Sequence, residues 1–124
     1  MSKVQPLIAL VDDDEAIRKA LKRLLRSAGL EAVAFASGAD FLDSLPNLRP
    51  NCLVLDLHMP TMSGFQLLAR LGESGHQLPV LILTGHDSDE TRDRALSWRP
   101  VAYLRKPVND QTLLDAIQLA LTQY

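Results

Sequence analysis

Residues 52–64 read CLVLDLHMPTMSG, an apolar run that ends abruptly at the acid Asp56. Four consecutive apolar residues predict a strand that is buried on both faces, because a half-buried strand would alternate with polar residues. A carboxylate that interrupts such a run costs free energy unless it is paired or exposed. Core packing therefore does not account for an acid at position 56. A chemical role for the carboxylate at the end of the strand accounts for it better.

Similar apolar runs on both sides of this stretch predict four more strands, which are Pro6–Val11, Glu31–Phe35, Pro79–Thr84 and Val101–Leu104. Helical spacing lies between the strands. It predicts a helix from the N-cap Asp14 to Gly29, then Ala39–Leu45, a helix after Ser63-Gly64 that ends near Gly72 to Gly75, then Asp89–Trp98, and a last helix after the N-cap Asn109. Strands that alternate with helices predict one α/β domain, with a parallel sheet covered by helices on both faces.

The composition of the 124 residues limits the function classes. A hydrophobic fraction of 47% and a net charge of −2 exclude disorder and give no general attraction to nucleic acid or to an anionic membrane surface. No apolar run reaches the roughly 20 residues that cross a bilayer, and the first residues lack the apolar stretch of a signal peptide. The single cysteine, Cys52, cannot form an internal disulfide and is expected to be a buried small hydrophobe. We expect a soluble domain in the cytoplasm.

Polar residues follow the carboxyl ends of the predicted strands. The first strand runs into Asp12-Asp13-Asp14, the third into Asp56, the fourth into Thr84 and the fifth into Lys106. Because these ends share one edge of an open parallel sheet, and ligands bind at that edge, we expect the side chains to meet in one cleft. Asp14 is the exception, since its position suits the cap of a helix.

Such a cluster has a restricted chemistry. Neighbouring carboxylates repel one another, and a hard cation such as Mg²⁺, which prefers carboxylate, water and phosphate oxygens, relieves the repulsion. A carboxylate can also attack phosphorus and form an aspartyl phosphate. The Lys106 ammonium and the Thr84 hydroxyl would then face the charged phosphoryl oxygens. The sequence therefore predicts a magnesium-dependent phospho-acceptor site.

Four segments together resemble the receiver domains of two-component response regulators. They are LVDDD at 10–14, VLDLHMPTMSG at 54–64, LTGH at 83–86 and YLRKP at 103–107. The resemblance covers essentially the whole chain, and the second and third segments look most like the FixJ subgroup. It implies a (βα)5 flavodoxin-like fold with five strands in the order 2-1-3-4-5.

The resemblance also implies roles for the acids. Asp56 matches the phospho-acceptor, and Asp13 matches the acid that binds Mg²⁺ directly. Asp12 matches the neighbour that acts through a water, and the backbone carbonyl of His58 matches the remaining metal ligand. The His58 side chain is expected at the pocket mouth, where it would tune how long the phosphate survives.

Further matches concern the switch. Lys106 matches the lysine that pairs with the phosphoryl group, and its bond to Pro107 is expected to be cis. Thr84 matches the hydroxyl that moves toward the phosphate. Tyr103 matches the aromatic residue that turns inward when the hydroxyl moves.

The resemblance implies a phosphorylation-dependent signalling switch rather than an enzyme with its own substrate. A sensor histidine kinase would donate the phosphoryl group, and residues 1–124 would form the receiver domain of a regulator whose effector domain is absent from this chain. The controlled process is expected to be transcription, without direct nucleic-acid or membrane binding by this domain. A stand-alone receiver that acts through protein–protein contacts is the alternative.

The chain departs from the family where Arg99-Pro100 replaces a common Gly-Ala pair and Ala102 replaces a common Asp. These changes lie beside the fourth helix, fifth strand and fifth helix, through which many relatives dimerise. The resemblance implies a homodimer through the same surface, but the two departures alter the residues next to it.

Three other functions are less favoured. An aspartate-based phosphohydrolase usually has a second Asp where this chain has His58. A flavin-binding module would need a first loop without the three carboxylates, and a pseudo-receiver would lack the acceptor or the lysine. The three histidines, His58, His76 and His86, do not share the spacing of a zinc site.

Overall fold

The computed structural model describes residues 5–122 and shows five strands that alternate with five helices within that range. The strands are β1 (Leu7–Val11), β2 (Glu31–Phe35), β3 (Cys52–Leu55), β4 (Val80–Thr84) and β5 (Ala102–Arg105). The helices are α1 (Glu15–Ser27), α2 (Gly38–Ser44), α3 (Gly64–Glu73), α4 (Asp89–Leu96) and α5 (Asp110–Thr122).

All four strand pairings are parallel, and the order across the sheet is β2-β1-β3-β4-β5. This confirms the predicted fold. β1 and β3 lie side by side in the middle, with Val11 paired to Leu55, so the acids that follow these two strands leave the sheet next to each other. The strand order reverses at this point, which is where open α/β sheets bind ligands.

The sheet separates two apolar layers because successive strand residues point to opposite faces. On one face, Ile8 and Leu10 belong to a buried cluster that includes residues of α1 and α5. On the other face, Ala9 and Val11 pack with Phe41 of α2 and with several leucines of α3. Helix α4 contributes much less to the core, since Ala95 is its single buried residue. The fold is therefore anchored by β1 and β3 and is least buried around α4 and β5.

Polar side chains fix where the helices begin. The Asp14 carboxylate accepts hydrogen bonds from the Ala16 and Ile17 N–H groups at 2.9 and 3.3 Å, so Asp14 is the cap of α1 as predicted. At the start of α3, Ser63 and Gln66 form a reciprocal capping box. The Asn109 side chain likewise accepts from Gln111 and Thr112 at the start of α5.

Some predicted ends were wrong by one or two residues. Strand β4 begins at Val80 rather than Pro79, and β5 covers Ala102–Arg105 rather than Val101–Leu104. Helix α2 begins one residue early, at Gly38. Helix α4 ends at Leu96 rather than Trp98, because the N–H groups of Trp98 and Arg99 donate to carbonyls three residues earlier and tighten the chain into turns before Pro100.

Arg99 itself adopts the left-handed conformation, with a φ of 55°. Left-handed backbone is costly for a residue with a Cβ atom. Arg99 stands where relatives commonly have glycine, which adopts this conformation easily. The chain keeps the same left-handed turn, but with an arginine in place of the glycine.

Among residues 5–122, no helix combines the length and the apolar character that crossing a bilayer requires.

We expect Arg99→Gly to raise the free energy of unfolding by about 0.5–1 kcal/mol, because relief of left-handed strain exceeds the added entropy of the unfolded chain. Urea denaturation followed by circular dichroism would measure the change. The matched control is Arg23→Gly in the exposed middle of α1, which should destabilise by about 1 kcal/mol. Equal destabilisation by both substitutions would contradict the strain at Arg99.

Candidate functional site

The carboxyl ends of β1, β3 and β5 bring three acids and a lysine into one cleft. Oxygen atoms of Asp12, Asp13 and Asp56 all lie within 4.8 Å of one another. The Lys106 ammonium is 2.8 Å from Asp12 Oδ2 and 3.6 Å from Asp56 Oδ1. Asp12 and Asp56 are buried and Asp13 is exposed, so the cluster opens to solvent on the Asp13 side.

Both carboxylate oxygens of Asp12, and its backbone carbonyl, accept hydrogen bonds. Its Oδ1 atom accepts a hydrogen bond from the Asp14 N–H group at 2.9 Å, and its Oδ2 atom accepts from Lys106. The Arg18 guanidinium of α1 donates to the Asp12 carbonyl at 2.8 Å. These contacts fix the Asp12 carboxylate in place and position Lys106 beside Asp56.

Asp56 is the acid that the pocket perturbs most clearly. Burial, and then the neighbouring Asp12 charge, raise the pKa of the Asp56 carboxyl to about 6, although Lys106 and the His58 N–H group act in the opposite direction. The His58 N–H donates to Asp56 Oδ1 at 3.3 Å. The ammonium and this backbone donor therefore neutralise the acids only in part.

The donor set fits a hard divalent cation. Three carboxylates beside the Lys106 ammonium leave an excess of negative charge, and after burial the neighbouring Asp12 charge is the second cause that raises the pKa of Asp56. Carboxylate oxygens are the protein ligands that Mg²⁺ prefers. Within residues 5–122 the cluster consists of carboxylates, without a nitrogen or sulfur ligand, which separates it from the usual zinc sites.

The loop after Asp56 is tightly built. Met62 N–H donates to the Pro60 carbonyl at 2.8 Å, and the intervening Thr61 has a φ of 70°. A Cβ atom on Gly64 would lie 2.6 Å from the Asp56 carbonyl oxygen and 2.8 Å from Leu57 Cα. Because both of those atoms belong to the backbone, no side chain fits at position 64. The sequence marked Gly64 as a helix start but gave no sign of this contact.

Thr84 lies at the end of β4 and is fully buried. Its hydroxyl is 3.4 Å from His58 Nδ1 and accepts a hydrogen bond from the His86 N–H at 3.1 Å. The rings of His58 and His86 have centroids 4.5 Å apart. Partial burial, then the proximity of His86 and of Lys106, lower the pKa of His58. The hydrogen-bond partners of the Thr84 hydroxyl are thus the two histidines rather than Asp56.

Tyr103 lies outside the acidic cleft. Its hydroxyl donates to Asp87 Oδ1 at 2.8 Å, and Asp87 also pairs with Arg92 at 3.3 Å. Tyr103 was predicted from sequence to be a switch residue, whereas Asp87 was missed because it belongs to a polar stretch that is ordinarily a solvated helix face. No spacing rule connects the two residues, because the contact joins the loop before α4 to β5.

Cys52, Met59 and Met62 pack in the apolar layers of the fold. Cys52 is fully buried at the start of β3, and burial raises the pKa of its thiol to about 12. Met59 is buried and Met62 is partly buried, and both pack in the layer formed with α2 and α3. The Lys106-Pro107 bond is cis, as the resemblance implied.

Comparison with known proteins gives a family and close relatives. The family described as response regulator receiver domain matches residues 8–118. The response regulator protein TmoT of Ectopseudomonas mendocina is 36% identical over 121 residues, which are 98% of this chain and 55% of TmoT. The transcriptional regulatory protein FixJ of Bradyrhizobium diazoefficiens is 38% identical over 116 residues, 94% of this chain and 57% of FixJ. The chain thus spans little more than half the length of these curated relatives.

Solved structures agree with the same assignment. A crystal structure of FixJ-N has a TM-score of 0.89 and 32% identity, and the match covers 98% of each chain. The chemotaxis protein CheY4 of Vibrio cholerae has a TM-score of 0.86 and 30% identity, and the match covers 95% of this chain and all of that one.

We expect Gly64→Ala to lower the free energy of unfolding by about 1–3 kcal/mol, because the added methyl group meets backbone atoms that cannot rotate away. Gly72→Ala is the control, since a Cβ atom there meets nothing within 4 Å and a helical alanine is favoured. Thermal denaturation of the two variants would compare them. Equal tolerance of both changes would contradict the close approach at Gly64.

Asp56→Asn should stabilise the protein at pH 7 when magnesium is absent. A carboxyl whose folded pKa lies above its unfolded value contributes stability at pH below about 4 that is lost as the pH rises through about 6. The neutral amide avoids this loss, so the variant should gain about 1–2 kcal/mol at pH 7, less than the full shift because water at the pocket mouth screens the charges. Urea titrations at pH 4 and pH 7 would measure it.

The control for this experiment is Asp43→Asn, which removes an exposed carboxylate on α2. A gain for Asp56→Asn that is the same at both pH values, or no larger than that of the control, would contradict the strained charge at Asp56.

Proposed function

The chain belongs to the response regulator receiver family of two-component systems, and on this basis we propose that it is a phosphorylation-controlled switch whose phospho-acceptor is Asp56. The observation that carries the proposal is the meeting of Asp12, Asp13 and Asp56 within 4.8 Å beside the Lys106 ammonium. Proteins of one fold have many different functions, so the proposed function depends on the chemistry of these side chains.

We propose that Mg²⁺ is bound by the Asp12, Asp13 and Asp56 carboxylates and the His58 backbone carbonyl, with Asp12 acting through a water. A bound Mg²⁺ would neutralise charge on the phosphoryl oxygens and on the acids. The hard oxygen donors and the uncompensated negative charge of the cluster support this assignment.

In the proposed reaction, an Asp56 carboxylate oxygen attacks the phosphorus of a phosphohistidine or a small phosphodonor. The oxygen–phosphorus bond forms as the bond from phosphorus to the donor breaks, and the donor leaves with those electrons. Lys106, already 3.6 Å from Asp56 Oδ1 and anchored on Asp12, would pair with a phosphoryl oxygen. No additional general base is needed, because the nucleophile is ionised.

The output step follows from Thr84. Phosphorylation adds about −1.5 to −2 charge units, which would draw the Thr84 hydroxyl away from His58 and toward the phosphoryl oxygens. The space that Thr84 leaves would then admit the Tyr103 ring, and the surface of α4, β5 and α5 would change. Local charge would thereby become a change of shape.

We propose that a sensor histidine kinase is the donor and that the switch controls transcription through an effector domain lying outside residues 1–124. TmoT and FixJ, which are described as regulators and are longer than this chain, support that interpretation.

The α4–β5–α5 surface is proposed as a homodimer contact, supported by half-exposed Leu96 on α4 and Leu119 on α5. We further propose that the domain works in the cytoplasm, without contacting nucleic acid or membrane itself and without turning over a separate substrate.

Incubation with acetyl phosphate and Mg²⁺, followed by intact-protein mass measurement, tests the acceptor. We expect one labile phosphate adduct that is lost when Mg²⁺ is chelated and in Asp56→Ala, because that carboxylate is the nucleophile. Asp43→Ala, which removes an exposed acid, should keep the adduct. An adduct that persists in Asp56→Ala would refute the assignment, and turnover of many unrelated phosphate esters would favour a phosphohydrolase.

A further inference from the structure

Asp87 makes the shortest polar contact of Tyr103. The Tyr103 hydroxyl donates to Asp87 Oδ1 at 2.8 Å, and the Asp87 side chain is well shielded, with 18% of its surface exposed. Asp87 Oδ2 is 3.3 Å from Arg92 and 3.7 Å from Arg105. Two cations from different elements therefore orient one carboxylate, and that carboxylate holds the tyrosine.

The contact joins two parts of the molecule that the proposed switch would move. Asp87 lies between the end of β4 at Thr84 and the start of α4, whereas Tyr103 lies on β5. On its other side the Tyr103 ring packs against the buried cluster that contains Ile82 and Ala95. The ring thus sits between an apolar interior and an ion-paired acceptor at the surface.

Packing does not by itself fix the outward orientation of Tyr103. A cavity of about 790 Å³ lies beside it, and its lining includes Tyr103, Asp87, Arg92, Pro107 and Thr112. Contacts on this side of the ring therefore constrain it less than the buried cluster does on the other. The hydrogen bond to Asp87 supplies a directional constraint on this side.

The electrostatics agree with the geometry. The Tyr103 hydrogen bond, followed by the Arg92 contacts, lowers the pKa of the Asp87 carboxyl. Burial and the Asp87 hydrogen bond raise the pKa of the Tyr103 hydroxyl to about 12. At neutral pH the tyrosine is therefore a firm donor and the aspartate a firm acceptor, which is the arrangement of a charge-assisted hydrogen bond.

We propose that Asp87 is a positioning residue for the switch: it holds Tyr103 outward in the unphosphorylated protein and so sets how much free energy phosphorylation must supply to turn the ring. The inference rests on the proposed function, because it assumes the inward movement of Tyr103. It adds Asp87 to the residues of the switch, with the role of opposing activation. Loss of the bond should raise the population of the inward state and tighten any ligand that selects it.

Beryllofluoride with Mg²⁺, a stable mimic of the phosphoryl group on a carboxylate, is the probe. We expect Asp87→Ala to tighten its apparent binding by about three- to tenfold, since one charge-assisted hydrogen bond no longer opposes the active state. Asp87→Asn keeps an acceptor without the charge and should give a smaller gain. Isothermal titration calorimetry on the full chain would give the affinities, and urea denaturation would show that the variants are equally folded.

Two further variants separate positioning from a general effect of charge. Asp89→Ala removes another acid near Arg92, 4.0 Å away and almost fully exposed, and should leave the affinity unchanged. In a Tyr103→Phe background, which lacks the donor hydroxyl, Asp87→Ala should change the affinity by less than about 1.5-fold, because the two residues act through one bond.

The outcomes are distinguishable. If beryllofluoride binds the wild-type chain and Asp87→Ala binds no tighter, or if the effect of Asp87→Ala persists undiminished in the Tyr103→Phe background, the positioning role is overturned while the proposed function stands. If wild type fails to bind the probe, or binds it equally after Asp56→Ala, the proposed function is overturned and this inference with it.

Discussion

In the described part of the chain, three carboxylates crowd the carboxyl edge of the sheet, and the Lys106 ammonium offsets part of their negative charge. Like charges this close raise each other's free energy, and burial adds to the cost. The fold imposes the arrangement, because β1 and β3 are adjacent parallel strands and the chain leaves both of them at the same edge. Burial and the Asp12 charge accordingly raise the pKa of Asp56. Binding of a divalent cation, as proposed, would offset this repulsion.

From this pocket a series of polar contacts leads toward the surface. Thr84 contacts His58 and the His86 backbone, the chain continues to Asp87, and Asp87 binds Tyr103 on β5. The contacts of Thr84 with His58 and of Asp87 with Tyr103 join the end of β4 to the loop after β3 and to β5. The region around α4 is also the least buried part of the fold, since only Ala95 of that helix reaches the core. A weakly anchored helix next to a connected set of polar contacts is a suitable place for a small rearrangement.

Much of this could be predicted from sequence, and the limits have physical reasons. Apolar runs predicted the strands, and the parallel order of their ends predicted which acids would meet the lysine, since one edge of a sheet collects residues far apart in the chain. Asp14 was correctly predicted as a cap because capping is local. Asp87 was missed because its contact with Tyr103 crosses between elements, and the close approach at Gly64 was missed because it depends on backbone positions in three dimensions. Resemblance to the family marked Arg99 as the position of a common glycine, but only the structure shows that the arginine keeps the left-handed conformation, because arginine itself has no preference for it.

The close backbone approach of Gly64 to the Asp56 carbonyl bears on which side of the sheet can rearrange. Because no side-chain atom fits between them, a shift of the Asp56 backbone would press directly on the start of α3. Helix α3 is also well anchored, with five buried residues, whereas Ala95 is the single buried residue of α4. If Asp56 is the phospho-acceptor, a change at this site would therefore be accommodated more easily, and be recognised more easily by a partner, on the α4 side than on the α3 side.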